Sequence, residues 1–465
     1  MEPLAWDGAG QAPYNNVIGL DPQLIDPEHG DYRPAPGSPA GEYGCQTFRG
    51  RGAAAARDEP APPRRVAPGP RRDEIEVAGP ISQDTTWNAD LVRVIGDVII
   101  EDGVTLTIEP ATRIEFEDYY RLDVLGTLRA LGTPDSRIVF TTDEPEKFVI
   151  DDSRLGCWNG IRFIDTSAAN ESSRLAYGII EYSKALSGDA GPYPYGGGAL
   201  SVVDFADLIV ENCIIRRCVA DYGGAVFCYR DGNPTLADCL IVDNHCLRNA
   251  SAIYSAYSHP KLINNTIIEN IIENEDNPYV ESCGVLSFIG KPVFSNNIVR
   301  DNDPRVYYLH RQLRHNKAFC TRYNNIEDYA EGVGNIDTDP RFVDPPAGDY
   351  RLLVGSPCID AADNDAVPDN LISDLGGEAR FVDDPDTEDT GHGQPPIVDM
   401  GAHEYQSSQC PADFDGDGDV DTADLLFLLG AWGSPDGDVD GDGDTDAADL
   451  LALLAAWGEC ARNQR

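Results

Sequence analysis

The densest chemistry in this chain lies near its C-terminus. DFDGDGDVDTAD at 413–424 is followed, 25 positions on, by DVDGDGDTDAAD at 438–449. Asp413, Asp415, Asp417, Asp421 and Asp424 stand at positions 1, 3, 5, 9 and 12 of a calcium loop. Gly418 supplies the sharp turn at position 6, and Asp419 at position 7 offers its backbone carbonyl. Asp438, Asp440, Asp442, Asp446 and Asp449 repeat the set, with Gly443 and Asp444 at positions 6 and 7. Calcium takes six to eight oxygens from a loop that bends at its midpoint, so the spacing predicts two Ca2+ sites. After each loop apolar residues recur at i, i+3, i+4 and i+7: Leu425, Leu428, Leu429 and Trp432, then Leu450, Leu453, Leu454 and Trp457. Each loop should therefore lead into a short amphipathic helix. Without metal the clustered carboxylates repel, so this unit is expected to fold only with calcium bound.

Asp243, Glu269, Asp301 and Arg300 are the candidates for catalysis. Aligning the internal repeats places Arg216, Glu269 and Arg300 in one surface column. It places Asp243 and Asp301 in the next with Arg217 and Asn270, with His245 and His259 nearby. A glycoside hydrolase needs two carboxylates facing the scissile bond. A polysaccharide lyase needs a calcium-binding carboxylate cluster beside a basic residue. A solvated face on a repeat protein would carry the same columns, so both readings stand. Tyr193 and Tyr195 in GPYPYGGG, and the stretch 272–281, lengthen individual repeats. Such insertions either form binding surfaces, where rings stack on sugars, or pack back onto the scaffold.

The scaffold that must position these residues is a repeat. NCII at 212, DCLI at 238, NTII at 265 and NNIV at 296 recur in step with GALSV from 198, GAVFC from 224, SAIYS from 251 and CGVLS from 283. Two strand positions sharing a period of about 26 residues predict a β-solenoid with one coil per period. Ile214, Leu240, Ile267 and Ile298 are expected to stack inside. Asn212, Asp238, Asn265 and Asn296 should then turn a corner, and Cys213 and Cys239 should be small buried thiols. About nine coils fit between Val94 and Asn325, a rod of roughly 40 Å at the ~4.8 Å strand spacing.

The chain has 465 residues and a formal charge of −45, which excludes the cationic face that nucleic acid requires. No run of eighteen apolar residues is present, so no membrane span is expected. None of the twelve cysteines forms a CxxC pair. YNNVIGLDPQLIDPEHGDYRPAPGSPA (14–40) matches YNNIEDYAEGVGNIDTDPRFVDPPAGDYRLLVGSPCIDA (323–361) in order: Tyr-Asn-Asn, Asp-Pro, Gly-Asp-Tyr-Arg, Gly-Ser-Pro. Residues 1–45 therefore read as the tail of a preceding unit, with the start of the chain, and any signal peptide, expected to be missing. Residues 46–73, rich in Ala, Pro and Arg, read as a linker. Residues 74–325 should form the solenoid, 326–409 its closing segment and 410–460 the acidic module.

GDVIIEDGVTLTIEPATRIEF (96–116), LDVLGTLRALGTPDSRIVFTTD (122–143) and WNGIRF (158–163) resemble the entry coils of right-handed parallel β-helix proteins of bacterial cell surfaces, a group that includes pectate-lyase-like enzymes. DPRFVDP, DYRL, SPCIDA and VDMGAHEY, within 339–405, resemble the segment that closes such helices. The acidic repeat resembles a type I dockerin module. That resemblance implies a cohesin-like partner or a cell-surface component, and a polysaccharide as the ligand or substrate of the whole. Cys410 and Cys460 bracket the module and are expected to close it, which implies an oxidising, secreted setting. Where the family usually carries cohesin-contacting hydroxyls, this chain has Thr422-Ala423 and Ala447-Ala448. The expectation is a secreted or surface-displayed β-helix protein that binds carbohydrate or another surface partner. A polysaccharide-degrading enzyme and a structural spacer rod are the alternatives.

Overall fold

The computed structural model describes residues 24–26, 31–34 and 72–459, except 188–195, 274–283, 303–311, 315–319, 407–411, 416–418 and 440–442. Two compact units are distinguished, residues 1–50 and 51–465. In the first, Leu24–Asp26 pairs antiparallel with Asp31–Pro34 in the register Leu24↔Pro34, Asp26↔Asp31. In the second, Phe342–Asp344 and Asp349–Leu352 pair in the corresponding register, Phe342↔Leu352 and Asp344↔Asp349. The two matching sequence stretches thus build the same hairpin.

The second unit is mainly β, with parallel strands stacked coil upon coil as in a β-solenoid. Each coil contributes to three faces. The first runs through Ile214–Arg216, Leu240–Val242, Thr266–Ile268 and Ile298–Arg300. The second runs through Leu200–Val203, Val226–Tyr229, Ile253–Ala256 and Val285–Phe288. The third is a nine-stranded sheet from Thr85–Trp87 to Cys320–Arg322. A short four-stranded sheet, including Val219–Tyr222 and His245–Asn249, bridges the first face to the second. Strand alternation sends every second side chain inward. Ile215, Ile241, Ile267 and Val299 from the first face meet Leu200, Val226, Ile253 and Val285 from the second in one continuous core.

Two columns of polar side chains run through this apolar interior. Asn244 donates from Nδ2 to Asn270 Oδ1 (2.9 Å), Asn270 to Asn302 (2.8 Å), and Asn302 to Gln312 (2.7 Å). A second column passes from Asn265 to Asn297, Asn324 and Asn335 in the same way. Asn270 also bonds the backbone of the preceding coil at Ile241 and of its own coil at Ile268. The burial of these amides is therefore compensated, and the bonds pin the register between coils. Cys213 and Cys239 precede Asn265 in one column, and Cys218 precedes Asn244 in the other. These are buried free thiols, as expected, and burial pushes the Cys218 thiol up to about 12.

Two sequence alignments shift by one residue. The left-handed corner is made by Asn212, Asp238, Asn264 and Asn296, with φ of 51°, 50°, 55° and 63°; Asn265 belongs to the buried ladder. Likewise, Thr266, not Ile267, aligns with Ile214, Leu240 and Ile298. That column faces outward, and Leu240 and Ile298 are buried by other means. The closing segment folds back along the first face and covers it: Tyr350, Leu375 and Ala402 pack on Leu240, Val242 and Ile268, and Leu352 and Cys358 belong to the cluster around Ile298. Gly401, at φ +94°, lies so close that a Cβ there would meet Ile298 Cδ1 at 2.7 Å. Asn212 donates to the carbonyls of Ser373 and Asp374, and Asn296 to that of Asp363, so the corner column doubles as a docking rail.

A fully buried arginine fastens this cover. Arg380 donates to the carbonyls of Asp399 (2.9 Å) and Gly401 (2.7 Å), and lies 3.7 Å from Asp238 and 3.6 Å from Glu404, both buried. Lys184 plays a comparable part for the loop around 149–153, donating from Nζ to the carbonyls of Val149, Asp151 and Ser153. The only α-helices among the described residues are Thr422–Gly430 and Ala447–Ala455, both in the acidic module. No described helix is long and apolar enough to cross a membrane.

Candidate functional site

In the acidic module, each helix is begun by the loop that precedes it. Asp421 caps the first helix by accepting from Ala423 N, while Asp424 accepts from Asp421 N at 2.8 Å. Asp446 and Asp449 repeat this capping box on the second. Asp424 also reaches back to Phe414 N, and Asp449 to Val439 N, both at 2.7 Å, so the twelfth residue of each loop holds its first turn. Asp413, Asp415 and Asp424 bring one carboxylate oxygen each to within 4.8 Å of one another. Asp438 accepts from Gly443 N at 2.7 Å, closing the second loop at its glycine. Asp417, Asp440 and Asp442, the Asp419 side chain, and Cys410 and Cys460 lie outside the described residues. The two helix faces are less buried than their periodicity predicts. Leu428 and Leu453 enter the small core, whereas Leu429, Trp432, Leu454 and Trp457 are about half exposed.

On the first face, the charged column differs from the expected one. Arg217, Asp243, Glu269 and Asp301 occupy equivalent left-handed positions with φ between 51° and 54°. Arg216, Val242, Ile268 and Arg300 occupy the strand position before them. Glu269 therefore joins Asp243 and Asp301, and Asn270 lies in the buried ladder. His259 sits at a different corner, between the second and third faces, where it accepts from Lys291 N.

Arg217, Asp243 and Arg300 are paired. Arg217 Nε donates to Asp243 at 3.2 Å, His245 Nε2 lies 3.2 Å from the same carboxylate, and His245 Nδ1 lies 2.7 Å from Glu273. Burial pushes the Asp243 carboxyl up, but the adjoining His245 and Arg217 outweigh it and hold the group below its ordinary range. An acid held ionised in this way is a poor proton donor. Glu269 accepts from the Tyr350 hydroxyl of the closing segment at 2.9 Å, and Arg300 is tied to Asp337 at 2.8 Å and Asn325 at 3.1 Å. Glu269, Arg300 and Asp301 line a cleft of about 550 Å³ with Asp339, Arg341 and Phe342 from the closing segment; Asp243 is not part of it.

The second face carries a site that the sequence reading missed. Tyr222 and Tyr254 meet edge to face at 5.3 Å, and Phe227 stacks on Tyr254 at 5.5 Å and 11°. The series continues through Tyr229, Tyr257 and Phe288, with centroids 5.9 to 6.3 Å apart. Three successive coils thus contribute one ladder of rings. Tyr257 is 46% and Phe288 48% exposed, so the ladder reaches solvent rather than closing into core. At its inner end lies a cleft of about 340 Å³ lined by Tyr222, Phe227, Tyr229, Tyr254, Ser187, Asp221 and Arg248. Arg248 Nε pairs with Asp221 at 3.2 Å, and Ser187 donates to the same carboxylate.

The signal was available in GAVFCYR and SAIYSAY, where Val226 and Cys228, then Ile253 and Ser255, point inward and leave Phe227, Tyr229 and Tyr254 outside. The expected aromatics, Tyr193 and Tyr195, lie outside the described residues. No protein-family model matches the chain, and no curated protein matches it.

Proposed function

We propose that this chain is a secreted or surface-displayed right-handed parallel β-helix that binds carbohydrate along the aromatic ladder of its second face. We further propose that its C-terminal module is a dockerin-like attachment element. The observation that carries the first part is the ladder beside a polar cleft. A sugar ring lays its C–H face on an aromatic face, and its hydroxyls need directional partners nearby. Tyr254 and Tyr222 at the cleft, with the half-exposed Tyr257 and Phe288 beyond, provide the first, and Asp221, Arg248 and Ser187 the second. Rings spread over three coils favour an extended glycan over a single sugar.

For the module, the all-oxygen donor set of Asp413, Asp415 and Asp424 suits a hard cation, and the sequence repeat suggests the same for Asp438, Asp440 and Asp449. Calcium would supply the positive charge that lets these carboxylates crowd together. Leu426 and Leu451 are 65% and 69% exposed, and with Leu429, Trp432, Leu454 and Trp457 they favour docking onto a cohesin-like protein or a cell-surface component.

A polysaccharide-degrading enzyme is the second reading, favoured by the cleft that Glu269 and Asp301 share with Asp339 and Arg341. The deciding experiment is affinity electrophoresis of the full chain, with calcium, through gels containing a panel of polysaccharides. Each polymer is also assayed for new reducing ends or unsaturated products. Retardation that Tyr254→Ala weakens supports the binding reading. Product release that survives Tyr254→Ala but is lost in Glu269→Gln supports the enzyme. Neither signal leaves a spacer rod.

A further inference from the structure

We propose that the closing segment holds a divalent cation of the calcium class at Asp360, Asp383 and Asp389, separate from the acidic module. One carboxylate oxygen of each residue lies within 4.8 Å of the others. Such crowding on an acidic surface would carry no weight alone. The second observation is the state of Asp360: the residue is fully buried, and its Oδ1 has no hydrogen-bond partner. A buried carboxylate oxygen without a donor is costly, and here the negative neighbours Asp389, Asp383 and Asp384 add to the cost. No basic side chain is paired with Asp360 among the described ion pairs, in contrast to Asp363, which has Arg322 at 3.0 Å.

The local backbone builds a cradle around this oxygen. Asp384 N donates to Asp360 Oδ2 at 3.2 Å, and the amides of Thr390 and Gly391 donate to the Asp360 carbonyl. The loop 383–391 therefore wraps Asp360 from both ends. Asp384 is occupied inside the loop, where it accepts from Thr387 Oγ1 at 2.6 Å, so it serves the turn. Asp383 and Asp389 are exposed, which leaves room for water to complete the shell that a calcium-class ion keeps. A bound cation would give Asp360 its missing partner and staple the loop to the cover of the first face.

The test uses calcium alone as probe on the full chain, with stoichiometry read by equilibrium dialysis. Asp383→Asn/Asp389→Asn alters only exposed ligands and is expected to bind one calcium fewer than the natural chain. Asp413→Asn/Asp438→Asn should leave this site filled. Calcium should also slow proteolytic cleavage within 383–391 in the natural chain and in the module variant, but not in Asp383→Asn/Asp389→Asn. Unchanged stoichiometry in that double variant, or calcium protection of the loop that persists in it, overturns the proposal.

Discussion

The first and second faces of the solenoid are built from the same coils, yet they have opposite surroundings. On the first, outward Leu240, Val242, Ile268 and Ile298 are covered by the closing segment, and the adjoining charges are engaged by Arg217, His245, Tyr350 and Asp337. On the second, Phe227, Tyr229, Tyr254 and Phe288 point outward, and Tyr257 and Phe288 remain about half exposed. Outward apolar residues on a solenoid are thus not one signal. Aliphatic ones on the first face mark where the chain folds back on itself, and the aromatic ones on the second are proposed to meet a ligand.

The cover should be the easiest part of this contrast to break. Arg380→Ala leaves Asp238 and Glu404 buried without their cation, and a loss of about 3–5 kcal/mol is expected in denaturant unfolding. The first face should then expose apolar surface to a dye such as ANS. A loss below about 1 kcal/mol would mean that the cover is held by apolar packing alone.

Tyr254→Ala should act on the other face, weakening glycan binding about tenfold, or ~1.4 kcal/mol, with the cover intact. Equal binding by this variant would move the ligand off the ladder. Tyr350→Phe removes the hydroxyl that Glu269 accepts and should cost about 1 kcal/mol without touching glycan affinity. A change in affinity would mean that the two faces communicate.

Asp243→Asn should have the smallest effect, visible chiefly as pH dependence. The folded carboxyl titrates below its ordinary value, so its contribution is complete above about pH 4 and is lost as pH falls through the lowered pKa. The variant should therefore lose a little stability near neutrality and show a shallower acid decline. An identical acid limb in both proteins would show that the Arg217 and His245 contacts do not bias the titration.

Much of this architecture could be read from the residues because repetition enforces it. A strand that must stack on its own copy every coil repeats its inward residues, so the period and the parallel sheets were legible in NCII and DCLI. The departures fall in the coil that begins at Asn264, just before the period lengthens. The coil from Asn264 to Asn296 is 32 residues, against 26 from Asn212 to Asp238, and NNTI allows two alignments that differ by one. A one-residue slip exchanges inside for outside, so Ile267 points into the core while Ile214, Leu240 and Ile298, expected beside it, point outward, and Glu269 falls in the column of Asp243 and Asp301.

The sequence by itself determined the coil period, the two acidic loops with their capped helices, and the duplicated hairpin, because each depends on residues close in the chain or on an exact repeat. Only the tertiary structure decided that the closing segment packs on the first face, that Tyr350 reaches Glu269 across 81 positions, and that rings from separate coils form one ladder. Those outcomes depend on which outward surface is covered. That choice follows from the fit of a non-repeating segment to a repeating face, which no period in the chain encodes.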